Sequence, residues 1–302
     1  MNIRQLSNKF SENGSLIKSN IKNSSIKLLD KKKIIKEFEK KGAVLFRGYN
    51  FNKKNLWKFV KQFTLQFSND AQRRDVKFNN KNIRGVDPGN QEIKIHSESS
   101  FNSACPEIIW FFCNKKPSNR LDGRTTICDG VRIWEELSYS SKKFFLSNPI
   151  YYKLKINIDL ESKNMKKREW YLNSIGAINP VLNPKNKSID YGQIAFAVNE
   201  TRVPGQLSFC NHLLIDLKYE PQIIARTINK KKNLPKSINK ELSKIIKKNI
   251  YKINWKNGDL IMLDNKRFMH GRESFKKNSI REIINIQSKY ATFGYGNSTR
   301  NK

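Results

Sequence analysis

The stretch 93–101 of the chain is I-K-I-H-S-E-S-S-F, and it contains one of only three histidines in 302 residues. His96 and Glu98 stand two residues apart, and side chains at that spacing on a β-strand point to the same side. The stretch therefore predicts a strand that presents an imidazole and a carboxylate on one face. A second imidazole from a distant strand would complete a three-ligand face around one metal ion.

His270 can supply that second imidazole, in the sequence F-M-H-G-R at 268–272. The apolar run 259–264 before it predicts a buried strand that leads into the turn. Two histidines and one carboxylate, with open positions, are the ligand set that suits non-haem Fe(II) in oxygenases. Arg281, eleven residues later (281 − 270), is a cation suited to a carboxylate-bearing co-substrate. The third histidine, His212, has no partner at ligand spacing and is predicted to be core or pocket wall.

Two further segments join these. G-A-V-L-F-R-G-Y occupies 42–49, and D-G-R-T-T-I-C-D occupies 122–129. Together with H-S-E-S-S-F at 96–101 and D-N-K-R-F-M-H-G-R at 264–272, they resemble, in this order, the taurine dioxygenase-like family of Fe(II)/2-oxoglutarate-dependent oxygenases. The chain also shows many short predicted strands interleaved with helices, which suggests a mainly β fold with flanking helices around a double-stranded β-helix, or jelly-roll, core.

The resemblance implies a role for five residues. His96, Glu98 and His270 would hold Fe(II), while Arg281 and Thr125 would bind the distal carboxylate of 2-oxoglutarate. The implied reaction hydroxylates an unactivated C–H bond of the substrate with O2, and converts 2-oxoglutarate to succinate and CO2. Desaturation or ring closure stays open as an alternative outcome.

The sequence departs from the family pattern at three positions. Asp122 stands where the family's Gly-Gly pair has its first glycine, and Glu98 replaces the commoner aspartate ligand. The glutamate form resembles the clavaminate synthase and asparagine oxygenase branch, which acts on amino acids or their derivatives, free or tethered to a carrier protein. Asn285 stands where taurine dioxygenase has the arginine that holds the sulfonate, which argues against taurine.

Three polar residues are predicted to contact the substrate: Arg272, Asn285 and Asn211. For Arg272 a structural role is an equal alternative, in which it pairs with an acidic neighbour such as Glu273 or Asp264.

Length and composition favour one domain over 26–302, after a loosely ordered lead-in at 1–25 that shows no secretory signal. The longest apolar run near the motifs, 108–113, is too short to span a membrane. The four cysteines lack C-x-x-C spacing, which predicts free thiols in a reducing cytoplasm.

The net charge of +33 admits nucleic acid or an acidic protein as a partner. However, the lysines are spread along the chain without aromatic clusters, and the Lys, Asn and Ile bias is typical of an AT-rich genome. We therefore expect a small amino-acid-like substrate, with an acidic carrier protein as an open option and no specific nucleic acid or membrane partner. Two alternatives remain: a nucleic-acid oxidative demethylase that uses the basic surface, and a non-catalytic binding protein on the same fold.

Local patterns predict several elements. Leu56, Phe59, Val60 and Phe63 recur at helical spacing. Further helices are predicted at 31–40 and from 237 to 249, and strands at 43–46, 108–114 and 280–286, with a charged loop around 163–168.

Overall fold

The computed structural model describes most of the chain, and strands predominate in it. The described residues are 14–21, 23–68, 74–102, 105–119, 121–158, 165–229, 233–276 and 279–294. The strands are β1 (Ser15–Lys18), β2 (Ala43–Arg47), β3 (Thr64–Phe67), β4 (Val76–Lys77), β5 (Asn80–Gly85), β6 (Ile93–His96), β7 (Ile108–Lys115), β8 (Thr125–Asp129), β9 (Ile150–Asn157), β10 (Ile178–Asn183), β11 (Ser188–Ala195), β12 (Val198–Glu200), β13 (Leu207–Phe209), β14 (Ile223–Ile228), β15 (Tyr251–Lys252), β16 (Leu260–Asp264), β17 (Phe268–Arg272) and β18 (Glu282–Ala291). The helices are α1 (Lys31–Lys41), α2 (Lys53–Lys61), α3 (Gly130–Glu136), α4 (Tyr139–Ser147), α5 (Met165–Ser174) and α6 (Lys236–Asn249), with short 3-10 turns at Ile26–Leu28 and Leu217–Tyr219.

Two sheets face each other and form the jelly roll. The larger has the order β1-β2-β16-β7-β18-β5-β4, with β3 added on β18, and the smaller has the order β15-β8-β17-β6. The apolar layer between them includes Leu45, Phe111, Ile127, Leu263 and Phe268, all buried. This mainly β architecture confirms the predicted fold class.

The larger sheet is buried on both faces, because β16 and β7 carry long runs of consecutive apolar residues, at 260–263 and 108–113. Along β16, Ile261 and Leu263 point into the layer between the sheets, whereas Leu260 and Met262 point the other way. That second face packs under α1 and α2, which contribute Phe38 and other apolar residues. Each large apolar side chain buried in this way contributes about 1.5–3 kcal/mol to folding.

A third sheet, with the order β10-β11-β9-β14, lies beside the smaller sheet of the jelly roll. Its core is shared with α3, α4 and α6, and its largest buried side chains include Phe145, Tyr152 and Phe209. This region brings Tyr191 and the end of β9 close to the loop that follows β6, which matters for the site.

The predicted helix at 31–40 and the strands at 43–46 and 108–114 agree with α1, β2 and β7, and α6 begins one residue before the helix predicted from 237. Of the amphipathic set, Leu56, Phe59 and Val60 lie on α2, and Phe63 follows it.

Three local predictions were wrong. In the lead-in, Ser15–Lys18 pairs in parallel with Ala43–Arg47 as β1, because Leu16 and Ile17 are buried against the larger sheet. The predicted charged loop around 163–168 is helical from Met165 onward, while 163–164 fall outside the described residues. The strand predicted over 280–286 begins only at Glu282, so Arg281 precedes it. Within the described part of the chain, we find no helix with the length and apolar character needed to cross a membrane.

Candidate metal centre

His96, Glu98 and His270 come together in one buried cluster. Each offers one ligand atom, and these three atoms lie within 4.8 Å of one another. His96 ends β6 and pairs directly with His270 on β17, so the hydrogen-bonded register places the two rings side by side, 4.7 Å apart. Gly271 permits this pairing, because a Cβ there would overlap the carbonyl oxygen of Ile93 on β6.

Glu98 reaches the cluster by a route that the sequence did not predict. The strand ends at His96, and Glu98 lies in the turn that follows. Asn265 fixes this turn, because its Oδ1 accepts from the Glu98 N–H and its Nδ2 donates to the Glu98 carbonyl, both at 2.9 Å. Ser97 also donates its hydroxyl to the Asn265 carbonyl. The two-residue alternation of a strand, from which we predicted that His96 and Glu98 share a face, is therefore not what positions Glu98.

The surroundings of His96 and Glu98 favour the protonation states in which these two residues bind a metal. Burial, and then the neighbouring His270 and His212, hold the pKa of His96 well below its usual range, so the imidazole is neutral. Burial alone would raise the pKa of Glu98, but the charge of Arg74 and the nearby imidazole of His270, 3.6 Å away, hold it well below the usual value. Neutral imidazoles and an ionised carboxylate are the forms that coordinate a divalent cation.

Arg74 is a site residue that sequence analysis missed. Its guanidinium is buried, 3.3 Å from Glu98 and 2.8 Å from Asp87, and it also donates to the Asn285 Oδ1 at 3.2 Å. Burial lowers the pKa of Arg74, but the two carboxylates more than offset this and raise it overall. No motif marks Arg74 in the sequence.

Thr125 and Arg281, predicted to bind 2-oxoglutarate, lie together on the other side of the cluster. The Arg281 guanidinium donates to the Thr125 hydroxyl at 3.3 Å, and the Trp255 indole N–H donates to the same oxygen at 3.0 Å. Because that oxygen already accepts two bonds, its own O–H is directed outward as a donor.

Arg281 has the surroundings of an anion-binding group. Burial, and then the nearby Arg272, lower its pKa to about 9. Its Nε has no hydrogen-bond partner, and no carboxylate pairs with it, among the described residues. A buried guanidinium needs an anion to offset its desolvation.

Arg272 lies near Arg281 beside the cluster, but its hydrogen-bond partners differ from those predicted. It donates to the carbonyls of Asp87 and Gln91, at 2.7 and 2.9 Å. The carboxylates proposed for it are occupied elsewhere, Glu273 by Arg124 and Asp264 by Arg202. The predicted pairing is not formed, because other arginines hold both carboxylates and Arg272 donates to backbone carbonyls instead.

Asn285 and Asn211 line neither of the two cavities beside the cluster. The Asn285 Oδ1 accepts one hydrogen bond from the Arg74 guanidinium and another from the Gln287 side chain. Asn211 donates to the Ala197 carbonyl, and its own carbonyl accepts the Ser97 N–H. Both residues position neighbours of the cluster, so their predicted substrate contact is not supported.

Two cavities meet at the Arg74–Glu98 ion pair. The first cavity is lined by the cluster together with Thr125, Arg272 and Arg281. The second cavity, of about 220 Å³, is lined by Phe101, Lys155, Tyr171, Tyr191, His212 and Glu220, as well as by the ion pair. His212, predicted to be core or pocket wall, is therefore part of a wall.

The donor set fits a metal ion and a dicarboxylate. Two imidazoles and one carboxylate on one face leave the remaining positions of a divalent metal open, as non-haem Fe(II) requires. The first cavity adds Arg281 and Thr125, which suit a carboxylate at a fixed distance from that metal.

Comparison with known proteins identifies relatives. Residues 2–287 match the model of the Taurine catabolism dioxygenase TauD, TfdA family. A 3-((Z)-2-isocyanoethenyl)-1H-indole synthase from Fischerella ambigua (strain UTEX 1903) is 23% identical over 202 residues, which are 65% of this chain and 63% of that protein. The chain thus spans less than two thirds of that relative.

Solved structures share the fold at low identity. PvcB from Pseudomonas aeruginosa has a TM-score of 0.56 and 14% identity, covering 91% of this chain and 85% of that one. PvcB is described as an Fe, alpha-ketoglutarate dependent oxygenase from an isonitrile synthetic pathway. AAD-2, solved with Mn(II) and N-oxalylglycine, has a TM-score of 0.60 and 14% identity, covering 97% of this chain and 99% of that one.

Proposed function

The chain belongs to the Taurine catabolism dioxygenase TauD, TfdA family, and from this premise we propose that it hydroxylates an unactivated C–H bond of a small amino-acid-like metabolite. The protein is a 2-oxoglutarate-dependent dioxygenase, and its cofactors are Fe(II), 2-oxoglutarate and O2. Bound iron supplies the oxidising chemistry, driven by conversion of 2-oxoglutarate to succinate and CO2.

Individual residues receive roles in this proposal. His96, Glu98 and His270 hold the iron. The two hydrogen bonds between the Asn265 side chain and the Glu98 backbone, called the Asn265 clamp below, keep Glu98 in place. Arg281 donates to the distal carboxylate of 2-oxoglutarate. The Thr125 oxygen accepts bonds from Arg281 and Trp255, so its own O–H is available to donate to the same carboxylate.

Arg74 is proposed to hold an anionic group of the substrate. With Glu98 coordinating iron, Arg74 would keep Asp87 and Asn285 as partners, and it faces both cavities. Taurine dioxygenase has an arginine at the position of Asn285. In this chain Arg74, from another segment, brings a guanidinium to the same place by its contact with Asn285. The sequence argument against a sulfonate is correspondingly weaker, and a carboxylate or sulfonate suits Arg74 equally.

The second cavity is the observation that carries the choice of substrate. Its volume of about 220 Å³ suits a small metabolite, below the about 300–1,000 Å³ of drug-sized sites. Its wall combines Lys155 and Arg74 with Glu220, as a molecule bearing both an anion and a cation requires, and aromatic rings cover the remainder.

The relatives favour a second candidate, an amino-acid derivative with an isocyano group. One relative is named for an isocyanoethenyl-indole product, and PvcB is placed in an isonitrile synthetic pathway. An acidic carrier protein that presents the substrate, and a cytoplasmic location, are further proposals. The location is supported by the four cysteines, all of which are free.

The test is product analysis with the purified, iron-loaded protein. A panel of amino acids, their N-isocyano derivatives and carrier-tethered forms is incubated with 2-oxoglutarate and O2. We expect one class to accelerate succinate release and to gain one oxygen atom, or lose two hydrogens, by mass spectrometry. Succinate release that no panel member accelerates would contradict the proposed substrate class, and absence of any succinate would favour the non-catalytic alternative.

A further inference from the structure

We propose that His212 and Glu220 form a binding site for a primary amine of the substrate, at the wall of the second cavity. The proposal rests on the proposed function, and it specifies the substrate as one that carries a free N–H donor. His212 and Glu220 are both buried, with about 1% and 5% of their surfaces exposed.

His212 presents an acceptor to the cavity. Its Nδ1 lies 2.9 Å from the carbonyl oxygen of Ser97, and a carbonyl only accepts, so Nδ1 carries the proton. With Nδ1 directed at that carbonyl, Nε2 is the ring nitrogen left for a ligand, and it has no hydrogen-bond partner among the described residues. A buried acceptor without a donor costs about 1–3 kcal/mol, and a ligand N–H would remove that cost.

Glu220 presents a second acceptor beside it. Its Oε1 lies 3.6 Å from the His212 Nε2, longer than a hydrogen bond. Its other oxygen, Oε2, accepts from the Gln222 side chain, which fixes the carboxylate in this orientation. Two acceptors side by side fit a nitrogen with at least two protons, which is the geometry of a primary amine.

The position of this pair relates the amine to the metal. The His212 ring packs 5.2 Å from the ring of His96, and the Ser97 carbonyl that it contacts lies next to Glu98. An amine held here anchors the substrate beside the cluster, while Arg74 and Lys155 remain for its anionic group. Phe101, Tyr171 and Tyr191 are left to cover the carbon skeleton.

The experiment compares L-amino acids and their decarboxylated amines with the N-acetyl form of each, by calorimetric titration of the full-length protein. We expect at least one amine to bind about tenfold or more tightly than its N-acetyl form, which is the worth of one hydrogen bond to a charged group. Equal binding of the N-acetyl forms, or no binding by any amine, would overturn the proposal. This comparison needs no variant, so it does not depend on whether a substitution folds.

Glu220→Gln then tests the residue itself. The introduced amide removes the charge and can donate to the His212 Nε2, so the preference for the free amine should fall about tenfold. Glu136→Gln, outside the cavity wall, is the matched control and should keep the preference. An undiminished preference in Glu220→Gln would contradict the assignment. The absorption band of Fe(II)-bound 2-oxoglutarate, recorded on the same samples, reports on the proposed function separately, because amine binding is measured without it.

Discussion

Asn265 holds Glu98 from both sides, accepting from its backbone N–H and donating to its carbonyl, each at 2.9 Å. Asn265 belongs to the turn between β16 and β17, and β17 carries His270. The carboxylate of the cluster and the second histidine are therefore positioned by one turn, although they are 172 residues apart in the chain (270 − 98).

This relationship predicts the effect of Asn265→Ala. The variant should fold but lose about 10–100-fold in Fe(II) affinity, the usual consequence of removing a group that orients a metal ligand. Anaerobic Fe(II) titration measures it. Asn257→Ala, which removes a comparable backbone contact to Lys116 on the surface, is the control and should bind iron normally. Unchanged affinity in Asn265→Ala would show that the turn does not depend on the clamp.

The ligand assignment predicts loss of the metal complex in two variants. His96→Ala or His270→Ala should abolish the absorption band that 2-oxoglutarate gives with Fe(II), because two protein ligands are too few to hold the ion. Glu136→Gln serves as control, because Glu136 pairs with Lys248 and Asn249 away from the cluster, and it should retain the band. If both alanine variants kept full iron affinity, the metal centre would be elsewhere.

Substitution of Arg281 should weaken 2-oxoglutarate binding more than substitution of Thr125. Arg281→Ala removes the charged partner and should cost about 2–5 kcal/mol in 2-oxoglutarate binding. Thr125→Val removes one hydrogen bond to a charged group, about 1.5–3 kcal/mol, without changing the shape of the side chain. Titration of the absorption band with 2-oxoglutarate gives both values. A larger loss for Thr125→Val than for Arg281→Ala would reverse the proposed roles.

The sequence predicted the parts of the site that lie in strands and motifs, and missed what depends on turns. His96, His270, Thr125 and the apolar strands follow from local pattern and resemblance. Arg74 and the Asn265 clamp do not, because each acts through contacts between segments far apart in the chain, and neither residue type is distinctive there. The partners predicted for Arg272 were wrong for the same reason, because the carbonyls that it contacts belong to Asp87 and Gln91, far from it in the chain.

Cys113 provides a prediction about pH. Burial, and then the charge of Asp259, raise the pKa of its thiol from 9.0 to about 12. Between these values the unfolded thiol ionises while the folded one stays protonated. The stabilisation is therefore complete below pH 9.0 and is lost as pH rises toward about 12.

Urea unfolding at pH 8 and at pH 10.5 tests this prediction. From pH 8 to pH 10.5, the free energy of unfolding should fall less in Cys113→Ala than in the unsubstituted protein. The reason is that the substitution removes the titration of this thiol. Cys105→Ala, at a partly exposed cysteine, is the control and should lose as much as the unsubstituted protein. Equal losses in all three proteins would mean that the folded thiol ionises normally.

The last prediction concerns the net charge of +33. The second cavity holds about 220 Å³ and is walled by both signs of charge, which suits a small zwitterion better than a polyanion. Oligonucleotides should therefore bind only non-specifically, with an affinity that falls steeply as salt rises. They should not accelerate succinate release, whereas an acidic carrier protein bearing the substrate should. Turnover assays with methylated DNA and RNA at two salt concentrations, with uncharged polymer as control, measure this. Acceleration by a methylated oligonucleotide, with demethylated product by mass spectrometry, would establish the demethylase alternative and make the basic surface functional.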